Sequence, residues 1–334
     1  MSAVAGDVAS LLAGAAKGDR VALARLLSVV ERGGGPARAL AALAYREPPP
    51  YSVGVTGAPG AGKSTLTDRL ITAARGGWPP AGDRDGTEAV DQVAVLAVDP
   101  SSPFTGGALL GDRVRMQGHA TDPDVFIRSM ATRGHLGGLA LAVPDAVRVL
   151  GAAGMPVAVV ETVGVGQMEV EVASATDTTV VVVTPGWGDS TQANKAGLLE
   201  VADVFVVNKA DRPGAREARR DLEQMLDLSA PGDWRPPVVE TVAATGEGVD
   251  ALWGEVARHR AHLLTGGALE RARGARLEQE LRRILLARLL RRVEEVGSGE
   301  GYEDVRREVV EGRLDPYRAS ERLLPPAPAG TGGD

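Results

Sequence analysis

Eight consecutive residues, Gly57-Ala58-Pro59-Gly60-Ala61-Gly62-Lys63-Ser64, restrict the folds open to this chain more than any other stretch. They fit the pattern G-x-x-x-x-G-K-[ST]. Before them, Tyr51-Ser52-Val53-Gly54-Val55-Thr56 reads as a short strand. After them, Thr65-Leu66-Thr67-Asp68-Arg69-Leu70-Ile71 reads as the opening of a helix. Strand, glycine loop and helix together form a phosphate cradle. The glycines let backbone N–H groups converge on phosphate oxygens that side chains would otherwise keep away. The helix N-terminus adds partial positive charge. Lys63 is placed to reach the β- and γ-phosphates of a nucleotide, and the Ser64 hydroxyl to bind Mg²⁺.

The 334 residues allow one large or two modest domains. Hydrophobic residues make up 44% but aromatics only 3%, so the core is built from Val, Leu and Ala. A net charge of −7 argues against general nucleic-acid binding. With no cysteine there is no disulfide, thiolate metal site or thiol nucleophile. No secretory leader pattern is visible. No uncharged apolar run approaches the roughly 18 residues of a membrane span. These features predict a soluble cytoplasmic protein with no membrane partner.

Residues 7–44 are Ala/Leu-rich, with Val21, Leu23, Leu26, Leu27 and Val30 at helical spacing. Gly33-Gly34-Gly35-Pro36 predicts a break into two helices, and Pro48-Pro49-Pro50 ends the region. From residue 53 to about 264, β-branched runs alternate with helical stretches. The runs at 93–98, 157–160, 179–183, 204–207 and 238–242 predict strands buried on both faces of a mostly parallel α/β sheet. The Gly/Pro-rich stretch 76–86 predicts an exposed loop. Residues 269–292 predict an Arg-rich helix with Leu277, Leu281, Leu285 and Leu289 on one face, widened by Leu286 and Leu290. That stripe, with Glu270, Glu278 and Glu280 interleaved, suits a partner subunit better than nucleic acid. Helices at 302–311 and 316–324 follow. The predicted domains are a helical extension at 1–46, a nucleotide-binding domain at 47–264, a helical arm at 265–325 and a disordered tail at 326–334.

Asn208-Lys209-Ala210-Asp211 directly follows a predicted strand. A carboxylate only accepts hydrogen bonds. Guanine offers adjacent donors at N1 and its 2-amino group, whereas adenine has an acceptor at N1. Asp211 at a strand end after a phosphate loop therefore selects guanine. Thr241-Val242-Ala243-Ala244 suits a loop whose backbone N–H, at Ala243 or Ala244, meets guanine O6. Asp99 and Glu161 end predicted strands at the carboxyl edge beside the phosphate loop, and Asp112 follows a glycine-rich run. These acids are candidate Mg²⁺ groups with Ser64. Glu161-Thr162-Val163-Gly164-Val165-Gly166-Gln167 has the form of a γ-phosphate-sensing switch. Val165 stands where such switches place the water-orienting glutamine, and Gln167 is displaced. This predicts slow intrinsic hydrolysis that a partner accelerates. Arg115 and Lys195 are candidate charge stabilisers, with surface ion pairing the competing role. His259 and His262, three apart and lacking a third ligand, read as surface histidines.

Several long motifs resemble one family: Val98-Asp99-Pro100-Ser101-Ser102-Pro103-Phe104, Gly111-Asp112-Arg113-Val114-Arg115-Met116, Phe126-Ile127-Arg128-Ser129-Met130-Ala131-Thr132-Arg133-Gly134, the 161–167 stretch, and Pro185-Gly186-Trp187-Gly188-Asp189 with Gln192 and Lys195. The chain resembles the MeaB/ArgK GTPases, chaperones of adenosylcobalamin-dependent methylmalonyl-CoA mutase, over about residues 20–325. The resemblance implies a P-loop GTPase of the signal-recognition-particle/MinD class with an N-terminal helical extension and a C-terminal dimerisation arm. It implies a homodimer that gates cobalamin loading and protects the mutase. It carries Mg²⁺ and switch roles to Ser64, Asp99, Asp112 and Glu161. It carries a third, mutase-touching switch to 185–195, including Gly186, Asp189, Gln192 and Lys195. Met168 replaces the family's usual small polar residue after Gln167, and the 76–86 loop looks inserted.

The expected activity is Mg²⁺-dependent hydrolysis of GTP to GDP and phosphate, coupled to a cobalamin-dependent acyl-CoA mutase. Two rival enzyme readings stand beside it: a transport-associated kinase or ATPase, and a metallochaperone GTPase, which the absence of cysteine disfavours. A binding module acting through the Arg-rich helix is a third reading.

Overall fold

The valine runs form a seven-stranded parallel sheet in a computed structural model of the chain, which describes residues 2–79, 88–99, 116–119, 121–131, 138–162, 175–187, 197, 199–228, 232–299 and 301–324. The strands are β1 (Tyr51–Gly57), β2 (Val93–Asp99), β3 (Val125–Ala131), β4 (Val157–Thr162), β5 (Thr178–Val183), β6 (Val204–Asn208) and β7 (Val238–Thr241). Their order across the sheet is β3-β2-β4-β1-β5-β6-β7, with every pairing parallel. Successive side chains point to opposite faces, and both faces are covered. On β2, Ala94, Leu96 and Val98 join one core while Val93 and Val95 join the other.

The first core packs helices α1 (Ser2–Ala15), α2 (Arg20–Arg32), α3 (Gly34–Ala44) and α5 (Gly138–Ala152) against β2, β3 and β4. The opposite core contains α4 (Lys63–Arg75) and α7 (Val249–Leu264). Helix α6 (Ala215–Leu228) covers β5 and β6. The chain continues into α8 (Ala268–Gly297), α9 (Tyr302–Val310) and α10 (Pro316–Leu323).

Contacts divide the chain into one unit of Met1–Gly134 with Gly138–Leu277 and a second of His135–Gly137 with Glu278–Asp334. Within the second unit, Asp315 caps α10 by accepting from the amides of Tyr317 and Arg318, and Arg322 reaches Glu308 of α9 at 3.0 Å. Leu281, Leu285, Leu286, Leu289 and Leu290 on α8 are exposed. No helix among the described residues is long and apolar enough to cross a membrane.

Four expectations need correction. The N-terminal region holds three helices, because Gly18 (φ 91°) turns the chain and Asp19 caps α2 through bonds from the amides of Val21 and Ala22. Val21, in that first turn, is 61% exposed and lies off the apolar stripe. Strand β3 was not among the predicted strands. It lies at the sheet edge, where Arg128 interrupts its apolar run to bond Ser28 and Glu31 of α2 at 2.9 and 2.8 Å. The 76–86 stretch is not an exposed loop throughout, since Gly77 and Trp78 are buried. Trp78 is buried, pairs with Glu88 and stacks on Trp253 at 4.4 Å, while Trp253 donates to the Gly77 carbonyl. Residues 80–86 of that stretch, and the predicted tail 326–334, fall outside the described residues.

His259 is the fourth correction: it is buried, not a surface residue. At the amino-terminal edge of the sheet, Tyr51 Oη lies 2.5 Å from Thr178 Oγ1, which lies 2.9 Å from His259 Nδ1. His259 Nε2 is 3.4 Å from Asp203 Oδ1, and Asp203 also accepts from the Thr179 amide at 2.7 Å. Burial, with His262 nearby, pushes His259 down to about 4, so the ring is neutral near pH 7.

Candidate nucleotide site

The carboxyl edge of the sheet gathers the ends of β1, β4, β5, β6 and β7 around the start of α4. Two glycines are required there by space. Gly57 ends β1 at φ 138°, and a Cβ on it would sit 2.1 Å from the Val182 carbonyl oxygen of β5. Gly62 caps α4 at φ 90°, and a Cβ there would sit 2.5 Å from Asn208 Nδ2. The loop turns so tightly that Lys63, buried at 6% exposure, folds back and donates to the carbonyls of Gly57 at 2.7 Å and Ala58 at 3.0 Å. Ala58, Pro59, Gly60 and Thr65 are exposed on its outer side, while Ala61 is buried. The amides of the first turn of α4 complete a cradle suited to an anion.

Ser64, in that first turn, donates to Glu161 Oε1 at 2.5 Å. Glu161 is 1% exposed near the end of β4, in register with Val55 of β1 and Ala97 of β2. Thr162 beside it donates to Thr56 of β1 at 3.1 Å. A hydroxyl and a carboxylate at the phosphate loop are hard oxygen donors, the kind Mg²⁺ takes. Among the described residues no group of three or more His, Cys, Asp or Glu is arranged as a metal site. The backbone of Asp99 ends β2 at the same edge. Its side chain lies outside what is described, as do Asp112, Arg115, Gln167, Asp189, Gln192 and Lys195.

Asn208 ties three loops together. Its Nδ2 donates to the Ala61 carbonyl of the phosphate loop at 2.8 Å. Its Oδ1 accepts from Thr241 Oγ1 and from the Ala243 amide, both at 3.1 Å. Lys209, at φ 61° the one non-glycine with positive φ among the described residues, sends its ammonium to the Gly60 carbonyl at 2.6 Å. The Ala210 amide bonds the Thr241 carbonyl at 3.0 Å, and Asp211 stands exposed in the turn that follows. The structure thus brings the 57–65, 208–211 and 241–244 stretches to one rim. After β5, Pro185 and Gly186 (φ 85°) turn the chain, with the Trp187 amide bonded to the Thr184 carbonyl at 3.1 Å. Gly186 therefore lies on the same edge.

One contributor was not found from the sequence. Arg69 of α4 donates to the carbonyls of Ala243 at 3.3 Å and Ala244 at 3.0 Å. A lone arginine on a helix carries no motif, so only the packing of α4 beside the 241–244 loop exposes it.

The sequence profile of the family described as "Methylmalonyl Co-A mutase-associated GTPase MeaB" matches residues 23–298. The chain belongs to the MeaB family. Its GTPase activity follows from that membership. This MeaB-family chain is 48% identical over 314 residues to a Pyrococcus abyssi protein, covering 92% of this chain and 93% of the relative. It is 36% identical over 278 residues to "GTPase ArgK" of Escherichia coli, covering 80% of each. It is 31% identical over 338 residues to "Methylmalonic aciduria type A homolog, mitochondrial" of Mus musculus, covering 94% of this chain and 78% of that one. Among solved structures, one described as "LAO/AO transport system kinase" superposes with a TM-score of 0.68 at 26% identity, covering 95% of this chain and 96% of that one. The P-loop α/β fold is common to these proteins.

Proposed function

We propose that this chain binds GTP with Mg²⁺ at the carboxyl rim, hydrolyses it to GDP and phosphate, and uses the cycle as a G-protein chaperone. Its partner is an adenosylcobalamin-dependent methylmalonyl-CoA mutase, whose cofactor loading it gates and which it protects. The observation that carries this reading is the 2.5 Å contact between Ser64 and Glu161. It joins the phosphate helix to the residue that opens the 161–167 switch. A change at the γ-phosphate is thereby felt at β4 before it reaches any partner. Ser64 and Glu161 would hold the metal, with Asp99 and Asp112 completing its surroundings. Mg²⁺ bound there would supply charge neutralisation to the phosphates. Lys63 neutralises phosphate charge, Asp211 reads the guanine edge, and Asn208 and Lys209 brace the loop. Arg115, Gln167 and Lys195 are assigned to the catalytic step. The 185–195 stretch, with Gly186, Asp189 and Gln192, is assigned to the mutase-facing switch.

The test is capture of purified methylmalonyl-CoA mutase by the immobilised full chain, run with GDP and with a non-hydrolysable GTP analogue. The account expects capture to differ at least about tenfold between the two states, because a cycle can shift a partner only through differential affinity. Equal capture in both states contradicts the gating role. The description of the solved neighbour as a kinase raises a second reading, ATP-dependent phosphoryl transfer. ATP displacing bound GDP as well as GTP does favours that reading.

We also infer a homodimer, formed through the exposed leucine face of α8. Contiguous exposed apolar faces mark protein contacts. Sedimentation should show a dimer for the native chain and a monomer for Leu285→Asp with Leu289→Asp. A variant that remains dimeric places the interface elsewhere.

A further inference from the structure

Arg69 is exposed on α4, and it holds two adjacent carbonyls of the 241–244 loop, which the proposed site sets against the base. The hydrogen bonding of that loop is asymmetric. The Val242 amide bonds Glu247, the Ala243 amide bonds Asn208 Oδ1, and the amides of Thr245 and Gly246 both bond the Val242 carbonyl. Among the described residues, the Ala244 amide has no such partner, and Ala244 is exposed. The Ala244 N–H belongs to the same peptide unit as the Ala243 carbonyl. That unit is trans, so its C=O and N–H point in opposite directions. A guanidinium drawing the Ala243 oxygen toward α4 therefore turns the Ala244 N–H away from α4. The second bond, to the Ala244 carbonyl, fixes the next peptide plane and removes the remaining freedom to flip. Arginine suits the task because its rigid planar fork meets two acceptors in a fixed geometry, whereas a lysine offers one freely rotating ammonium on a flexible stem. The stem adds support, with Cδ 4.0 Å from the position a Cβ on Gly246 would take.

We infer that Arg69 is a positioning residue for base recognition: it presents the Ala244 N–H to the 6-oxo group of the purine. It thereby sets the preference for 6-oxopurine nucleotides over purines that lack that oxygen. The inference deepens the proposed guanine-nucleotide site and rests on it. Asp211 reads the N1 and 2-amino donors. Arg69, acting through the backbone, governs the acceptor at the other end of the same edge.

The experiment titrates three diphosphates into the full chain, its Arg69→Ala variant and its Arg69→Lys variant. GDP carries the 6-oxo group, the N1–H and the 2-amino group; IDP keeps the 6-oxo group and the N1–H; 2-aminopurine riboside diphosphate lacks both the 6-oxo group and the N1–H. Arg69→Ala should weaken GDP and IDP alike, by about fivefold, the scale of one hydrogen bond lost from an ordered loop. Binding of 2-aminopurine riboside diphosphate should be unchanged, and Arg69→Lys should fall between. Urea unfolding of each variant reports folding separately. An equal loss for all three nucleotides overturns the inference, because it marks general damage to the site. No loss for any of them overturns it as well. If the native chain binds none of the three, the nucleotide site itself fails and the inference with it. Native binding that Arg69→Ala leaves unaltered removes the inference and spares the site.

Discussion

Replacing Lys63 by alanine is expected to lower GTP hydrolysis by at least about a thousandfold, the scale on which a single preorganised charge acts in phosphoryl transfer. The native ammonium is buried and already held by the Gly57 and Ala58 carbonyls, so it is positioned before any phosphate arrives. Little reorganisation is then needed during reaction. The same substitution should flatten the difference in mutase capture between GDP and the GTP analogue. Single-turnover hydrolysis and the capture assay read the two effects on one preparation. Hydrolysis retained within about tenfold contradicts the assigned role of Lys63. A capture difference that survives while hydrolysis is lost would contradict the second expectation, because the partner would then distinguish the two nucleotides without Lys63.

The second large effect is on stability, at the opposite edge of the sheet. Asp177 precedes β5, with its side chain 1% exposed. Arg273 of α8 bonds both its oxygens, at 3.0 and 2.7 Å, and Arg276 bonds Oδ1. Ser52 at the start of β1 adds its amide at 3.0 Å and its hydroxyl at 3.1 Å. Burial alone would raise this carboxyl. The Arg273 hydrogen bond, the charges of Arg276 and Arg273, and the Ser52 amide outweigh it and hold Asp177 below its ordinary 3.8. Asp177→Ala leaves two guanidinium groups and a strand amide without their acceptor. The expected loss is about 3 kcal/mol, the low end for breaking a buried pair, because both arginines keep partial contact with water.

The pH dependence has a definite sign. A lowered folded-state value means the contribution is fully present above 3.8 and is lost as pH falls through the folded value. The native chain should therefore lose stability on acidification below about pH 4, and Asp177→Ala should lack that part of the decline. Urea unfolding at neutral and acidic pH checks both statements. A neutral-pH loss under about 1 kcal/mol contradicts the account and assigns the cluster to the class of screened surface pairs.

What could be read from the sequence, and what could not, follows from how far apart the interacting residues lie. The phosphate loop and the 208–211 turn are contiguous, and each carries its chemistry in a few adjacent residues. The central strands are legible because burial on both faces demands unbroken Val-rich runs. Edge strand β3 escapes that rule, since Arg128 serves a contact with α2 about a hundred positions away. Trp78 reads as part of a polar loop until Trp253, far along the chain, is placed beneath it. His259 gives no sign of burial in its spacing, because its partners Thr178 and Asp203 belong to other strands and connections. Arg69 is the same case within the site itself.

The central claim is that a guanine nucleotide with Mg²⁺ is held at this rim, and calorimetric titration of the full chain tests it most directly. With Mg²⁺ present, GDP should bind with a clear heat at one site per chain, and ADP should bind at least about a hundredfold more weakly, the penalty for unpaired polar groups at a base edge. No heat with GDP, or equal affinity for GDP and ADP, would contradict the account.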